Sequence, residues 1–274
     1  MAGGAKERLS FLEWGIAERP LPGQPESGDQ YLVSAWPTGA LLAAIDGLGH
    51  GPGAAKAARL AAATLEADAQ QPLHLLLDRC HQALRRTSGI VLTLAVYHAN
   101  DHSLSWLGIG NVEGVLVRAD RYARPGCEFV IPRGGVVGYR APPPRISTLA
   151  VDPGDTLVLA TDGVRPGFVD ALRDCPKRSR AGSPTPSPLA GEGWGEGVNS
   201  LDDSRNPPLP SPPPPGGRGP ERSPRSLPGL PLNLDAPPQQ IANDILARHA
   251  REGDDALVLV ARFGPLEDGL GGQS

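Results

Sequence analysis

One stretch limits what this chain can become more than any other. Residues Asp46-Gly47-Leu48-Gly49-His50-Gly51-Pro52-Gly53 hold four glycines and a proline in eight positions. Neither a strand nor a helix tolerates that density, because glycine leaves the backbone unrestrained and proline removes a donor. An apolar run, Ala40–Ile45, leads into it, and an alanine-rich run, Ala54–Ala69, leaves it. Alanine is the strongest helix former, so the loop must turn a strand into a helix. A second helix is expected over Leu73–Arg86, where Leu73, Leu76, Leu77, Cys80 and Leu84 recur at helical spacing.

The rest of the ordered pattern is strand-like. Tyr31–Trp36 and Ala40–Ile45 flank Pro37-Thr38-Gly39, a hairpin signal. After Gly89 come Ile90–Tyr97, Ser103–Ile109, Gly114–Arg118, Glu128–Ile131 and Thr156–Thr161, short runs bounded by Gly, Asn, Asp or Pro. A helix over Gln239–Arg251 precedes a last strand, Ala256–Phe263. Ile90–Tyr97 and Thr156–Thr161 are almost continuously apolar, as expected where both faces of a strand are covered. Consecutive strands, with helices grouped early and late, predict an α+β fold. The strand count calls for two antiparallel sheets, a β-sandwich flanked by helices, rather than a parallel βαβ array.

Composition separates this core from a second kind of sequence. Of 31 prolines, 14 fall between Lys177 and Leu232, together with 9 glycines in those 56 residues. That window cannot bury enough apolar surface to offset its ordering entropy. The expected organisation is one domain over 1–264, interrupted by a disordered Pro/Gly-rich insertion at 177–232, with a flexible tail at 265–274. The insertion reads either as a proline-rich ligand for a partner or as a tolerated surface excursion, since lengthening a loop costs little.

The net charge of −4 lacks the basic field that nucleic-acid or anionic-membrane binding requires. No run approaches the ~18 apolar residues of a membrane span, and Met1–Pro20 has no uninterrupted apolar segment of the secretory kind. Cys80, Cys127 and Cys175 are odd in number and widely spaced, so no disulfide framework or metal-binding pair is expected. A reduced, cytoplasmic protein is the simplest expectation, and no motif specifies an oligomeric state.

The aspartates carry the chemical signal. Asp29 follows Gly28 at the start of a strand, Asp46-Gly47 and Asp162-Gly163 each end one, and Asp254-Asp255 precede the last. Singly, such residues are ordinary turn formers. Together they can converge at one edge of a packed sheet pair, where uncompensated carboxylates repel and a divalent cation is the natural remedy. All-oxygen donors without a Cys or His cluster favour a hard ion, Mg²⁺ or Mn²⁺. Glycine after the aspartate also frees a backbone carbonyl to approach the ion.

In order along the chain stand Gly28-Asp29, Asp46-Gly47-Leu48-Gly49-His50-Gly51 opening an alanine-rich helix, Gly110-Asn111, Ala160-Thr161-Asp162-Gly163 and Asp254-Asp255. This order resembles the PPM-type metal-dependent serine/threonine phosphatases, in particular their SpoIIE/RsbX-like bacterial branch, over about Gly28–Arg173 and Leu234–Phe263. The resemblance implies a two-sheet sandwich with a dinuclear Mn²⁺ or Mg²⁺ site at one end. Asp46 would bridge two metals and the Gly47 carbonyl would bind one. Asp162 and Asp254 would hold the other, Asp29 would contact metal-bound water, and Asp255 would take a lesser part. Metal-activated water would then attack phosphorus in line, with no covalent protein nucleophile.

His50 reads either as a general acid for the leaving group or as a helix-entry residue bonded to backbone. Asn111 reads either as a turn residue or as a wall of the site. His74, His81, His98, His102 and His249 show no ligand spacing.

Three departures from the resembled pattern stand out. Gly28 replaces an acidic residue, Ala256-Leu257 replace a small polar residue, and no arginine carries over as a phosphate clamp, Arg19 being the nearest. By resemblance, the expected substrate is a phosphorylated STAS-type regulatory protein, an anti-sigma-factor antagonist or stressosome component. The competing expectation is a pseudophosphatase that binds such a partner without turnover.

Overall fold

A computed structural model describes residues 11–172 and 231–265. Along the chain these form β1 (Leu12–Arg19), β2 (Asp29–Trp36), β3 (Gly39–Gly47), α1 (Pro52–Ala67), α2 (Leu73–Ala83), β4 (Ile90–His98) and β5 (Ser103–Ile109). There follow β6 (Glu113–Val117), β7 (Cys127–Phe129), β8 (Ser147–Ala150), β9 (Thr156–Ala160), α3 (Phe168–Ala171), α4 (Pro238–His249) and β10 (Ala256–Phe263). The strands form two five-stranded sheets, ordered β1-β10-β9-β6-β7 and β2-β3-β4-β5-β8, and every pairing is antiparallel.

The continuous apolar runs follow from a four-layer build. In β3, Ala40, Leu42 and Ala44 face the space between the sheets, alongside Tyr97, Trp106, Leu159 and Leu259. The alternate residues Leu41, Ala43 and Ile45 face outward under Ala57, Ala58, Ala61 and Leu65 of α1. β10 repeats this on the other sheet, with Leu257, Leu259 and Phe263 inward and Val258 and Val260 under Ile241 and Ile245 of α4. Fully burying a large aliphatic side chain stabilises by about 1.5–3 kcal/mol. Strands that bury both faces therefore hold the molecule together, and the expected α+β sandwich with flanking helices is the fold observed.

Three elements were not anticipated. β1 carries Glu13, Glu18 and Arg19 among its apolar residues, and it pairs with β10 at the far end of the chain, Leu12 opposite Phe263 and Arg19 opposite Ala256. β8 is a short edge strand with three of its four residues exposed, and α3 is a single turn. Leu232, the last residue of the proline-rich window, is buried against the α4 side. Its N–H donates to the Ala171 carbonyl at 2.9 Å, so the two described stretches meet there. The rest of the window and nearly all of the tail lie outside the described residues. Cys80 is free and buried, but against the expectation of no disulfide framework Cys127 is disulfide-bonded. Among the described residues no helix is long and apolar enough to cross a membrane.

Candidate metal centre

The two sheets bring their aspartates to one end of the sandwich. Asp29 opens β2 and Asp46 is the penultimate residue of β3, and antiparallel pairing sets these two residues directly opposite each other. Asp162 follows β9, while Asp254 and Asp255 precede β10, the neighbour of β9 in the other sheet. Thr161 joins the halves: its hydroxyl donates to Asp29 Oδ2 at 2.7 Å and accepts from the Leu257 N–H at 2.9 Å.

Three of the carboxylates respond to this crowding. Burial pushes the Asp29 carboxyl up to about 7, with Asp255, Asp162 and Asp254 adding repulsion and the Thr161 bond opposing. Burial raises Asp46 to about 8, reinforced by Asp29, Asp162, Asp254 and Asp255. Asp162 is also raised, by burial and by Asp254, against the opposing pull of Arg251 and of Asn111. The Asn111 amide donates to Asp162 Oδ2 at 2.6 Å, so Asn111 is a wall of this site rather than only a turn residue.

The glycines serve close approach. A Cβ on Gly47 would lie 2.3 Å from the Ala54 carbonyl oxygen, and one on Gly163 would lie 1.8 Å from that of Asp255. Any side chain at either position would push α1 or the β10 entry away from the carboxylates. Gly28 has a similar cause: a Cβ there would meet Asp255 Oδ2 at 2.9 Å and Ala54 Cβ at 3.2 Å. The Asp255 carboxylate, which accepts from the Leu21 N–H at 2.8 Å, lies against the position that an acidic side chain would need.

The remaining expected residues divide. Asp254 is half-buried, and its Oδ1 accepts the Asp255 N–H at 3.0 Å. His50 is exposed on the Leu48–Gly51 loop and is not among the groups acting on these carboxylates. Arg19, at the end of β1, points a guanidinium N–H at the Arg251 carbonyl. That use ties Arg19 to the backbone and leaves its Nε buried without a partner. The five carboxylates fit a hard cation by donor chemistry, since the buried Asp29 and the half-buried Asp46 sit among like charges with, among the described residues, one hydroxyl bond between them. Among the described residues no three acidic, His or Cys side chains by themselves form a cation site.

The model of the SpoIIE family (Stage II sporulation protein E) matches residues 37–170. A structure from work on the bacterial stressosome as a modular signalling system superposes with a TM-score of 0.64 at 22% identity, covering 92% of this chain and 99% of that one. RsbX in complex with magnesium gives 0.63 at 14% identity, covering 93% and 96%. The Mycobacterium tuberculosis serine/threonine phosphatase PstP/Ppp gives 0.53 at 15% identity, covering 93% and 99%. The chain shares its fold with these structures, and its residues 37–170 match the SpoIIE family model. Comparison with curated proteins finds no match.

Within this PPM-type frame, sequence reasoning passed over one cation. Arg251 is exposed, its charge acts on Asp162, and its N–H donates to the Gly163 carbonyl at 2.7 Å. Its carbonyl in turn receives the Arg19 guanidinium. The backbone of Arg251 is thus pinned on both sides while its side chain stays exposed. The signal in the sequence was its place three residues before Asp254, which reads as an ordinary helix end until β9 and β10 are paired.

Proposed function

We propose that this chain is a metal-dependent protein phosphatase, a hydrolase that releases phosphate from serine or threonine of a bacterial regulatory protein. The observation that carries the reading is the convergence of Asp29, Asp46, Asp162, Asp254 and Asp255 from both sheets, two of them with carboxyls raised to about 7 and 8. Burying like charges without compensation is costly, and bound cations relieve it. Asp46, the Gly47 carbonyl, Asp162 and Asp254 would hold two Mn²⁺ or Mg²⁺ ions, with Asp29 and Asp255 supporting from behind. When bound, such ions supply charge neutralisation for phosphoryl oxygens and an acidified water.

The protein's own part is positional. Thr161 holds the Asp29 carboxylate and Asn111 holds that of Asp162, so neither has to reorganise when a phosphate ester arrives. His50, exposed on the loop that opens α1, would give a proton to the departing alkoxide. The substrate class is a phosphorylated STAS-type protein, an anti-sigma-factor antagonist or stressosome component, met in the cytoplasm. The likeness to a structure from the stressosome work supports that class. In this reading residues 1–264 act as one phosphatase domain, and the part of the 177–232 window ahead of the buried Leu232 is an excursion outside the catalytic unit.

The test is hydrolysis of an aryl phosphate with added Mn²⁺ by the full chain, beside Asp46→Asn and Asp162→Asn. The expected result is Mn²⁺-dependent turnover that falls more than about a hundredfold in both variants. Absence of turnover at millimolar Mn²⁺, with a phosphoprotein still bound, would leave a pseudophosphatase instead. Gly28 in place of an acidic side chain, and Arg19 tied to the Arg251 carbonyl, favour that second reading.

A further inference from the structure

Residues 131–146, Ile-Pro-Arg-Gly-Gly-Val-Val-Gly-Tyr-Arg-Ala-Pro-Pro-Pro-Arg-Ile, carry Arg133, Arg140 and Arg145 and no acid, against a net charge of −4 for the whole chain. All three arginines are exposed, and among the described residues none is in an ion pair. Ile131, Tyr139 and Ile146 are exposed beside them, Tyr139 at 83%. A cavity of about 610 Å³ opens in the same stretch, lined by Gly134, Val136, Tyr139, Arg140 and Pro142.

The backbone of this segment is held in place. Arg133 exchanges hydrogen bonds with the β5 end, its N–H to the Gly108 carbonyl and its carbonyl from the Gly110 N–H, both 2.9 Å. Val137 and Ile90 exchange N–H to carbonyl bonds at 2.9 and 3.0 Å, and the Gly138 N–H donates to His81 Nδ1 at 3.0 Å. Both anchors border the carboxylate cluster. Gly110 precedes Asn111, which holds Asp162, and Ile90 lies opposite Gly47 in the sheet. A backbone held in place, carrying free guanidinium groups, therefore adjoins the carboxylate cluster.

We propose that this arginine segment is the docking surface for an acidic polypeptide, placing a residue flanked by Asp or Glu at the carboxylate cluster. Five clustered carboxylates repel an acidic partner. A fixed patch of three positive charges at the rim offsets that repulsion where the flanking residues must lie. Arginine suits the task because its planar fork pairs with carboxylates in two-point contacts. The identity of the docked residue as a phosphorylated one rests on the phosphatase reading; the preference for acidic flanks does not.

The probes are two fluorescein-labelled phosphoserine peptides, one with Asp and Glu flanks and one with Ser and Gly flanks, titrated by anisotropy against the full chain. The wild type is expected to bind the acidic peptide about tenfold more tightly at low salt, the scale of three surface ion pairs acting together. The preference should shrink as added salt shortens the screening length. It should vanish in R133E/R140E/R145E and persist in part in the corresponding triple lysine variant, which keeps the charge without the two-point contact. Mn²⁺-dependent aryl phosphate hydrolysis should stay unchanged in both. Equal binding of the two peptides by the wild type, or an undiminished preference in the glutamate variant, would overturn the proposal. A protein with no aryl phosphatase activity but an intact, arginine-dependent preference would overturn the phosphatase reading and leave the docking surface standing.

Discussion

Asp155 and Asp29 are equally hidden, at 1% and 2% exposure, yet they keep opposite company. Asp155 accepts the Ala119 N–H at 2.8 Å, the Asp152 N–H at 3.1 Å and an Arg118 N–H at 2.9 Å. Arg118 also reaches Glu128 at 2.7 Å, so that carboxylate is fully answered by donors and a cation. Asp29 receives one hydroxyl and its own backbone N–H bonds Ser27 Oγ, while three further aspartates press on it. A carboxylate buried for architecture arrives with its counter-charge built in. One buried for a ligand leaves the counter-charge to be supplied from solution. The contrast separates the two ends of this sandwich more sharply than burial alone, and it can be broken experimentally.

The largest effect belongs to the answered side. Asp155→Asn removes one partner of a mostly buried pair whose Arg118 side chain is 14% exposed. Breaking such a pair should lower unfolding stability by about 3 kcal/mol, read from urea denaturation. Added Mn²⁺ should not restore it. A loss below about 1 kcal/mol would mean that Asp155 is held as loosely as a surface ion pair.

The unanswered side should behave in the opposite sense. Carboxyls raised to about 7 and 8 from 3.8 hold their protons longer when folded than when unfolded. The native state therefore binds more protons between those values, so its stability is full below about pH 4 and is lost as pH rises through about 7 to 8. In chelator, the melting temperature should fall across that window by an amount that Asp46→Asn reduces. Mn²⁺ should abolish most of the fall, because a bound cation replaces the proton. A metal-free melting temperature independent of pH from 5 to 8 would show that these carboxylates are not stressed. That outcome would erase the contrast with Asp155.

How far the sequence showed this division depends on what each feature needed. β3, β4, β9 and β10 were legible because both faces of each are covered, which leaves an unbroken apolar run. β1 was not, since its polar face alternates with a buried one and its partner lies over two hundred residues away. The aspartates stood out because each sits at a strand end. Asp29 facing Asp46 could follow from a hairpin, but the Thr161 bridge and the Asn111 bond required knowing which strands of different sheets meet. The Asp155–Arg118–Glu128 set escaped notice altogether: Glu128 lies in β7, Arg118 just past β6 and Asp155 just before β9, and no motif unites them.

Arg251 tests the boundary between the two kinds of site, being a cation placed beside the unanswered cluster without neutralising it. Its guanidinium is exposed and its backbone is pinned by Gly163 and Arg19, so truncating the side chain leaves the β10 entry intact. Arg251→Ala should leave the melting temperature within about a degree of the parent, as surface changes away from packed features do. It should lower kcat/KM for an aryl phosphate about tenfold, the effect of losing one charge-assisted contact to a phosphoryl oxygen at a partly solvated position. Lysine should recover only part, because a point charge cannot reproduce a two-point contact. If Arg251 instead served only to soften repulsion around Asp162, the loss would appear as a higher Mn²⁺ requirement with saturating-metal kcat/KM unchanged. Measuring kcat/KM across a Mn²⁺ series decides whether this arginine answers the substrate or the protein's own acids.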